Sequence, residues 1–444
     1  MKMKQNGEIK QVKLYGDNLN TNIIGSAYWG NSRDDIYKRF LTGCEPDGVK
    51  FVSRLLKYMC EGSISILINE DSLSNQRVYN MYALYKDMNN PDGRMNINSS
   101  WKKVSDLGME RVDCENVSLV HDCSTQDLII IDDKNLCFRR QMNSQTLMVN
   151  DTWTLINTKF PLIQGQFWDT YPIANSNRTV LVIDVDQIRK ASIQVSKRLS
   201  WERTALDLIW GITYNPTINI LSSFPYVIVY LGLEGAILFE NVRASNKIYA
   251  TLFFDPKSLE GDGNNRLGGK LEKIGECILS TMAYEILYDQ DGPDFSRGIQ
   301  SGMNLARFLN YNGLIFKNGV LTYPYKDLAE TAIKNEEVFA SVLVKDPNIT
   351  KLQLGGAHNA NNDWAIINDT EKEDLMEISK RIVVNGVEHA LKKVPLGKFG
   401  AKMTFDRFEI EQLNSISQVL NEYVKTKQRK PLNIAVFGSP GSGK

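Results

Sequence analysis

The sequence ends on Gly438-Ser439-Pro440-Gly441-Ser442-Gly443-Lys444, a G-x-x-x-x-G-K run behind the apolar segment Asn433 to Phe437. Glycines at 438, 441 and 443, with Ser442 among them, let backbone N–H groups wrap a phosphate, and Lys444 has the reach to touch β- and γ-phosphates. That chemistry is nucleotide binding, with ATP and Mg2+ as the expected cofactors. The Ser or Thr that holds magnesium belongs one position further on, and the helix whose N-terminus completes the anion site would follow it. The chain therefore reads as the front part of a larger P-loop NTPase, in which this loop alone does not hydrolyse ATP.

Other residues with chemical potential are spread upstream. Gly268-Gly269-Lys270 precedes an apolar stretch, Leu271 to Tyr288, and a glycine pair with a lysine at a helix start can hold an anion. Asp262 lies in the polar run Glu260-Gly261-Asp262-Gly263-Asn264-Asn265-Arg266 and is the candidate acid or base. Asp132-Asp133-Lys134 follows a strand, and Lys197-Arg198 precedes a helix; charged groups at strand ends face the ligand side of an α/β sheet. An ordinary reading stands beside this one, with Ser200 as a helix cap, Arg203 solvated and the aspartates in a charged turn. Asp17, Asn20 and Asn22 sit just past the first strand as hydrogen-bonding candidates. Six cysteines (44, 60, 114, 123, 137, 277) form no C-x-x-C pair and read as reduced, mostly buried thiols; with three scattered histidines, no metal site is expected.

The elements that must position these groups alternate. β-rich runs at Gln11 to Tyr15, Ser63 to Ile68, Leu128 to Ile131, Trp153 to Thr158, Val180 to Val185, Tyr226 to Tyr230 and Ala236 to Phe239 suit a mostly parallel sheet buried on both faces. Asn18 to Asn22 reads as a polar turn. Helices are expected at about 48–60, 202–212, 271–288 and 295–311. In the first of these, Val52, Leu55, Leu56, Met59 and Cys60 make one apolar stripe. Three units follow: an α/β domain over 11–330, a helical connector over 331–403, and over 404–444 a helix (Phe405 to Val424) leading to the first strand of the P-loop unit.

Composition sets the outer bounds. With 42% hydrophobic residues in 444, there is enough apolar surface for packed cores, and 52 basic against 52 acidic residues give no positive field for nucleic acid. No apolar run approaches a membrane span and the first residues lack a signal peptide, so a cytoplasmic protein with no membrane partner is expected.

The segment Tyr226 to Phe239, a buried strand, a turn at Gly232 to Gly235 and a returning strand, resembles the strand pair of ribokinase-like (phosphofructokinase B type) sugar and nucleoside kinases. Gly16-Asp17, the helix after Gly48 and the Gly268-Gly269 pair fall in that family's order over residues 11 to 325. The resemblance implies a layered sheet with flanking helices, and a cleft in which Gly232 and Gly235 lie near the nucleotide. It implies two acids that this chain lacks. Thr21 stands where the family's substrate-binding aspartate is expected, and Lys270 where the base of its G-A-G-D helix start is expected. The stretches around Asp132 and Ser196 also resemble bacterial fusions with a P-loop ATPase and a ryanodine-receptor-type domain, a group the resemblance links to phage defence. Three functions are open on this reading: a catalytically degenerate sensor of a nucleotide or nucleoside-like molecule that regulates the ATPase, an active kinase using Asp262 or another acid, or a module for homo-oligomer assembly.

Overall fold

Runs of β-branched residues and leucine that bury both faces build the centre of the molecule. The computed structural model describes residues 9–29, 37–68, 76–84, 100–110, 126–142, 144, 152–173, 177–242, 247–262, 269–288, 292–334, 338–344, 364–370, 375–426 and 431–433. In chain order the main elements are β1 (Lys10–Gly16), β2 (Asn18–Trp29), β3 (Tyr37–Gly48), α1 (Val49–Met59), β4 (Ile64–Ile68), β5 (Gln76–Leu84), β6 (Ser100–Met109), β7 (Leu128–Asp133), β8 (Trp153–Thr158) and β9 (Thr179–Asp184). After them come α2 (Val185–Lys190), α3 (Trp201–Tyr214), β10 (Tyr226–Leu231), β11 (Gly235–Val242), β12 (Lys247–Phe254), α4 (Ile274–Tyr288) and α5 (Phe295–Asn312). The last are β13 (Leu314–Lys317), β14 (Val320–Thr322), α6 (Tyr325–Ile333), β15 (Ala340–Leu343), the hairpin β16 (Gly397–Phe399) and β17 (Lys402–Thr404), and α7 (Arg407–Thr426).

The central sheet has the order β15-β12-β11-β10-β9-β8-β7-β1-β4. From β4 to β10 neighbouring strands run parallel, and β11, β12 and β15 add antiparallel pairs at the far edge. Strand side chains alternate between faces, so Leu128 and Ile130 join one core with Phe51, Leu55, Ile278 and Leu305, while Ile129 and Ile131 join the other with Phe138, Ala205 and Leu208. Each fully buried residue of this kind contributes about 1.5–3 kcal/mol, which is why the parallel core tolerates no polar face.

A second sheet, β14-β13-β6-β5-β2-β3, stands beyond the C-terminal end of β1. The chain crosses between sheets at Gly16, whose φ is +140° and where a Cβ would lie 2.3 Å from Asp132 O, so only glycine fits. Asn18 to Asn22 is thus the start of a twelve-residue strand rather than a polar turn: Asn18 pairs with Gly48 and Leu19 with both Asp47 and Gln76. The edge strand β15 comes from the stretch expected as connector, so the α/β unit runs past residue 330. Behind it Trp364 and Ile366 complete the second core, and Ile378, Ala390, Leu391 and Val394 form a small separate cluster.

Two further expectations change. α4 begins at Ile274, not at 271, because Lys273 adopts a left-handed φ of +61° and the Glu272 N–H donates to Asn310 Oδ1 instead of entering the helix. Cys137 is disulfide-bonded rather than reduced, while Cys44, Cys60 and Cys277 are free thiols, Cys44 exposed and the other two buried.

Candidate functional site

The parallel strands end together below the second sheet, and between them opens a cleft of about 830 Å³. Its floor comes from the ends of β7 to β10, its roof from β2, β3, β5 and β6, and its side from the segment entering α4. Ligands of open α/β sheets bind outside the carboxyl ends of the strands, and this cleft occupies that place.

Its deep end is filled with charge. Glu276, in the first turn of α4, is bonded to the Lys134 ammonium, which also lies 3.2 Å from Asp132 Oδ2. Lys273 bonds Asp47 and stands 4.0 Å from Glu276. Asp47 takes a further bond from Thr21 Oγ1 at 2.8 Å, and Asp132 Oδ1 one from Asn157 Nδ2 at 2.7 Å. Burial alone would raise the carboxyl pKa values, but Lys273 and Lys134 hold Asp47 well below its usual range, and Lys134 then Lys273 hold Glu276 below its own. The same carboxylates overcome desolvation to raise Lys134 and Lys273. Asp132 is the exception, pushed up to about 6 chiefly by burial. The result is an ion network among the chain's own side chains, with each charge compensated.

Gly275 shows how tightly this end is built. A Cβ there would lie 2.9 Å from Asn157 Oδ1, so glycine is what lets α4 reach the end of β8. The helix start therefore reads Lys273-Ile274-Gly275-Glu276, with an acid in the fourth place.

Towards the open end the lining changes to Thr158, Lys159, Asp184, Asp186, Gln187, Lys197, Tyr230, Gly232, Glu260 and Gly261. Glu260 is held by Arg189 at 2.6 and 2.8 Å, and Asp186 by Arg189 at 2.8 Å. Asp184 caps α2 by accepting the Asp186 N–H, and burial raises its pKa to about 6. Among the described residues no carboxylate pairs with Lys159 within 4.0 Å. Lys134's charge, then desolvation, lowers its pKa. An ammonium so placed gains from an incoming anion.

The residues singled out in the sequence divide. Lys197 and Gly232 line the cleft, the latter in a left-handed turn at φ +64°. Asp132 belongs to the buried network. Asp17 does not face a ligand: its carboxylate accepts the N–H groups of Lys134, Leu136 and Phe138 and so builds the loop after β7. Asp133 is likewise consumed, by Arg139, Thr158 and Trp168 Nε1. Asn20 and Asn22 alternate to the face of β2 opposite Leu19, which lines the cleft. Arg198 pairs with Asp262 at 2.8 Å, which also accepts the Leu259 N–H, so this acid is engaged in a turn outside the cleft lining. Gly235 packs under Trp201 and Phe253. Gly269 and Lys270 line the cleft but precede α4 in an extended stretch, where the Lys270 N–H donates to Lys103 O and its ammonium meets Asp106 at 2.9 Å; they form no helix start. Gly268 and the P-loop residues Gly438, Gly441, Ser442, Gly443 and Lys444 lie outside the described residues.

Glu276, Lys273, Asp47, Lys159 and Asp184 escaped the sequence reading. The visible signal was Glu276, an acid among Ile274, Cys277 and Ile278 where the helical pattern calls for an apolar residue. Among the described residues no helix is long and apolar enough to cross a membrane, and no group of three or more His, Cys, Asp or Glu is set to hold a metal ion.

No protein-family model and no curated protein matches the sequence. Among solved structures the chain is similar to a carbohydrate kinase from Agrobacterium tumefaciens, at 9% identity over 75% of this chain and 100% of that one, with a TM-score of 0.38. It is similar also to phosphofructokinase-2 from Escherichia coli in complex with substrates and products, at 9% identity, 73% and 98% coverage and a TM-score of 0.41. A nucleoside kinase from Methanocaldococcus jannaschii, an archaeal member of the ribokinase family, matches at 12% identity, 74% and 99% coverage and a TM-score of 0.35.

Proposed function

We propose that this chain is a ribokinase-like ligand-binding unit whose reaction centre is silent, and that it binds a nucleotide at the open end of its cleft and thereby regulates nucleotide chemistry at the P-loop motif Gly438 to Lys444. One observation carries the reading. The acid at the start of α4, where this fold class keeps its base, is committed to a buried ammonium of the same chain. A base must meet the hydroxyl whose proton it takes, and its pKa must sit near the working pH. Glu276 has Lys134 in that place and a lowered pKa. Thr21, where a substrate-holding carboxylate is expected, is itself bonded to Asp47.

The open end keeps what an anion needs. Lys159 and Lys197, the latter 3.8 Å from Asp186 Oδ1, bring ammonium groups to the lining, and Gly232 lines the cleft in a left-handed turn two residues after Tyr230. Phosphate oxygens are the chemistry that suits two lysines next to a glycine turn.

Isothermal calorimetry of the full chain against ADP, ATP, nucleosides and sugar phosphates tests the binding. One site per chain for a nucleotide is expected, weakened about tenfold in Lys159→Met, since one charge-assisted bond contributes about 1.5–3 kcal/mol. Absence of binding across the panel sinks the proposal.

A further inference from the structure

The cleft wall is held from outside by α7. Asn414 Nδ2 donates to Leu199 O at 2.8 Å, and Gln418 Nε2 donates to Lys197 O at 3.0 Å and to Arg198 O at 3.2 Å. Ser200 Oγ, the cap of α3, donates to Glu411 Oε1 at 2.6 Å. Glu411 is fixed in turn by Arg407 Nε at 2.8 Å, and Arg407 Nη1 reaches Trp364 O at 2.7 Å, so the base of α7 is anchored to the second core.

The wall passes the contact inward. Arg198 sits at φ +61°, which a residue with a side chain adopts only when its surroundings impose it. Its guanidinium meets Asp262 at 2.8 Å, Asp262 closes the turn by accepting the Leu259 N–H at 2.8 Å, and within that turn Glu260 and Gly261 line the cleft. Lys197 lines it directly. Bonds therefore connect Gln418 to the cleft directly at Lys197 and, through Arg198 and Asp262, at the 259–262 turn.

The attachment is weak by construction. Of α7 only Arg407 and Ile410 are buried, while Ile416, Val419, Leu420 and Val424 are 47, 51, 40 and 73% exposed. Beyond its first turns the helix is held by polar side chains on backbone carbonyls that water can equally satisfy. Such an element docks and releases at low cost.

We infer that α7 is a reversible strut on the cleft wall: docked, it fixes residues 197–200 and, through Arg198 and Asp262, the 259–262 turn, so that cleft ligand and docked helix favour each other. The nucleotide half of this inference rests on the reading of the cleft above; the strut itself does not. Coupling of this kind is reciprocal, and the ligand moves the helix only by as much as it prefers the docked state.

Hydrogen exchange on the full chain, with and without ADP, tests it. In Asn414→Ala/Gln418→Ala, both surface changes, exchange at residues 196–200 and 259–262 is expected to rise about tenfold without ligand, for the loss of hydrogen bonds of ordinary strength. Arg198→Gly accepts the same backbone conformation and keeps the carbonyl for Gln418, so it should loosen 259–262 while leaving 407–426 protected. In the wild type ADP should slow exchange across 407–426, and the double variant should bind ADP about tenfold more weakly. Faster exchange confined to 407–426, with 259–262 unchanged in the double variant, overturns the strut. Loosening of the wall in a chain whose wild type binds no ADP upholds the strut and removes only the nucleotide reading.

Discussion

Lys134 is the residue on which the proposed silence of the centre depends. It compensates Asp132 and Glu276 at once, and removing one partner of a buried ion network leaves charge uncovered at a cost of about 3–5 kcal/mol. Lys134→Met should therefore lower stability by about that amount in denaturant titrations at pH 7. Acid sharpens the test. Glu276 and Asp47 have folded pKa values below their ordinary 4.5 and 3.8, so the folded state binds fewer protons than the unfolded one as pH falls through that range. Their stabilisation is complete above those values and is lost below them. Asp132, raised to about 6 from 3.8, acts in the opposite sense between the two, stabilising at low pH and losing that contribution as pH rises through 6. With Lys134 gone, burial raises the folded pKa of Glu276, so its loss of stability on acidification shrinks or reverses, and the deficit of Lys134→Met against the wild type should be largest near neutral pH and narrow as pH falls. An unchanged acid limb in Lys134→Met would mean that Glu276 does not depend on that ammonium.

At the scale of elements, the start of α4 is the joint between helix and sheet. Gly275→Ala drives a methyl against Asn157 Oδ1, whose amide must swing and give up Asp132. Crowding of that kind costs about 1–3 kcal/mol. In an Asn157→Ala background the same change should cost much less, and a double-mutant cycle by thermal melting reads the difference; additive losses would show that the two residues do not meet. This joint also marks where sequence reasoning stopped. The parallel strands were legible because Leu128 to Ile131 and Val180 to Ile183 are apolar on both faces, a pattern that only a covered sheet produces. The second sheet was not, since Asn18, Asn20 and Asn22 mimic a turn and their partners, β3 and β5, are far along the chain. Gly268-Gly269 drew attention as a helix start, while the true start lay at Lys273, where a lysine takes up the left-handed conformation usual for glycine. Asp17 reads from sequence as a hydrogen-bonding candidate and Asp133 as either a ligand group or part of a charged turn, because nothing local shows that three backbone N–H groups or an arginine will close on them.

Across the whole molecule the two sheets, the entry to α4 and the wall under α7 enclose one cleft with two chemistries. Its deep end is saturated by Asp47, Lys134, Lys273 and Glu276, and its open end keeps Lys159 for an anion. On the proposed reading, the fold separates holding a nucleotide from using it. A phosphoryl-transfer assay with labelled ATP, the full chain and a broad panel of sugars and nucleosides tests that separation most directly. The account predicts no phosphorylated acceptor above the ATP-only background in a preparation that binds nucleotide by calorimetry. A phosphorylated product that disappears in Glu276→Gln would contradict it.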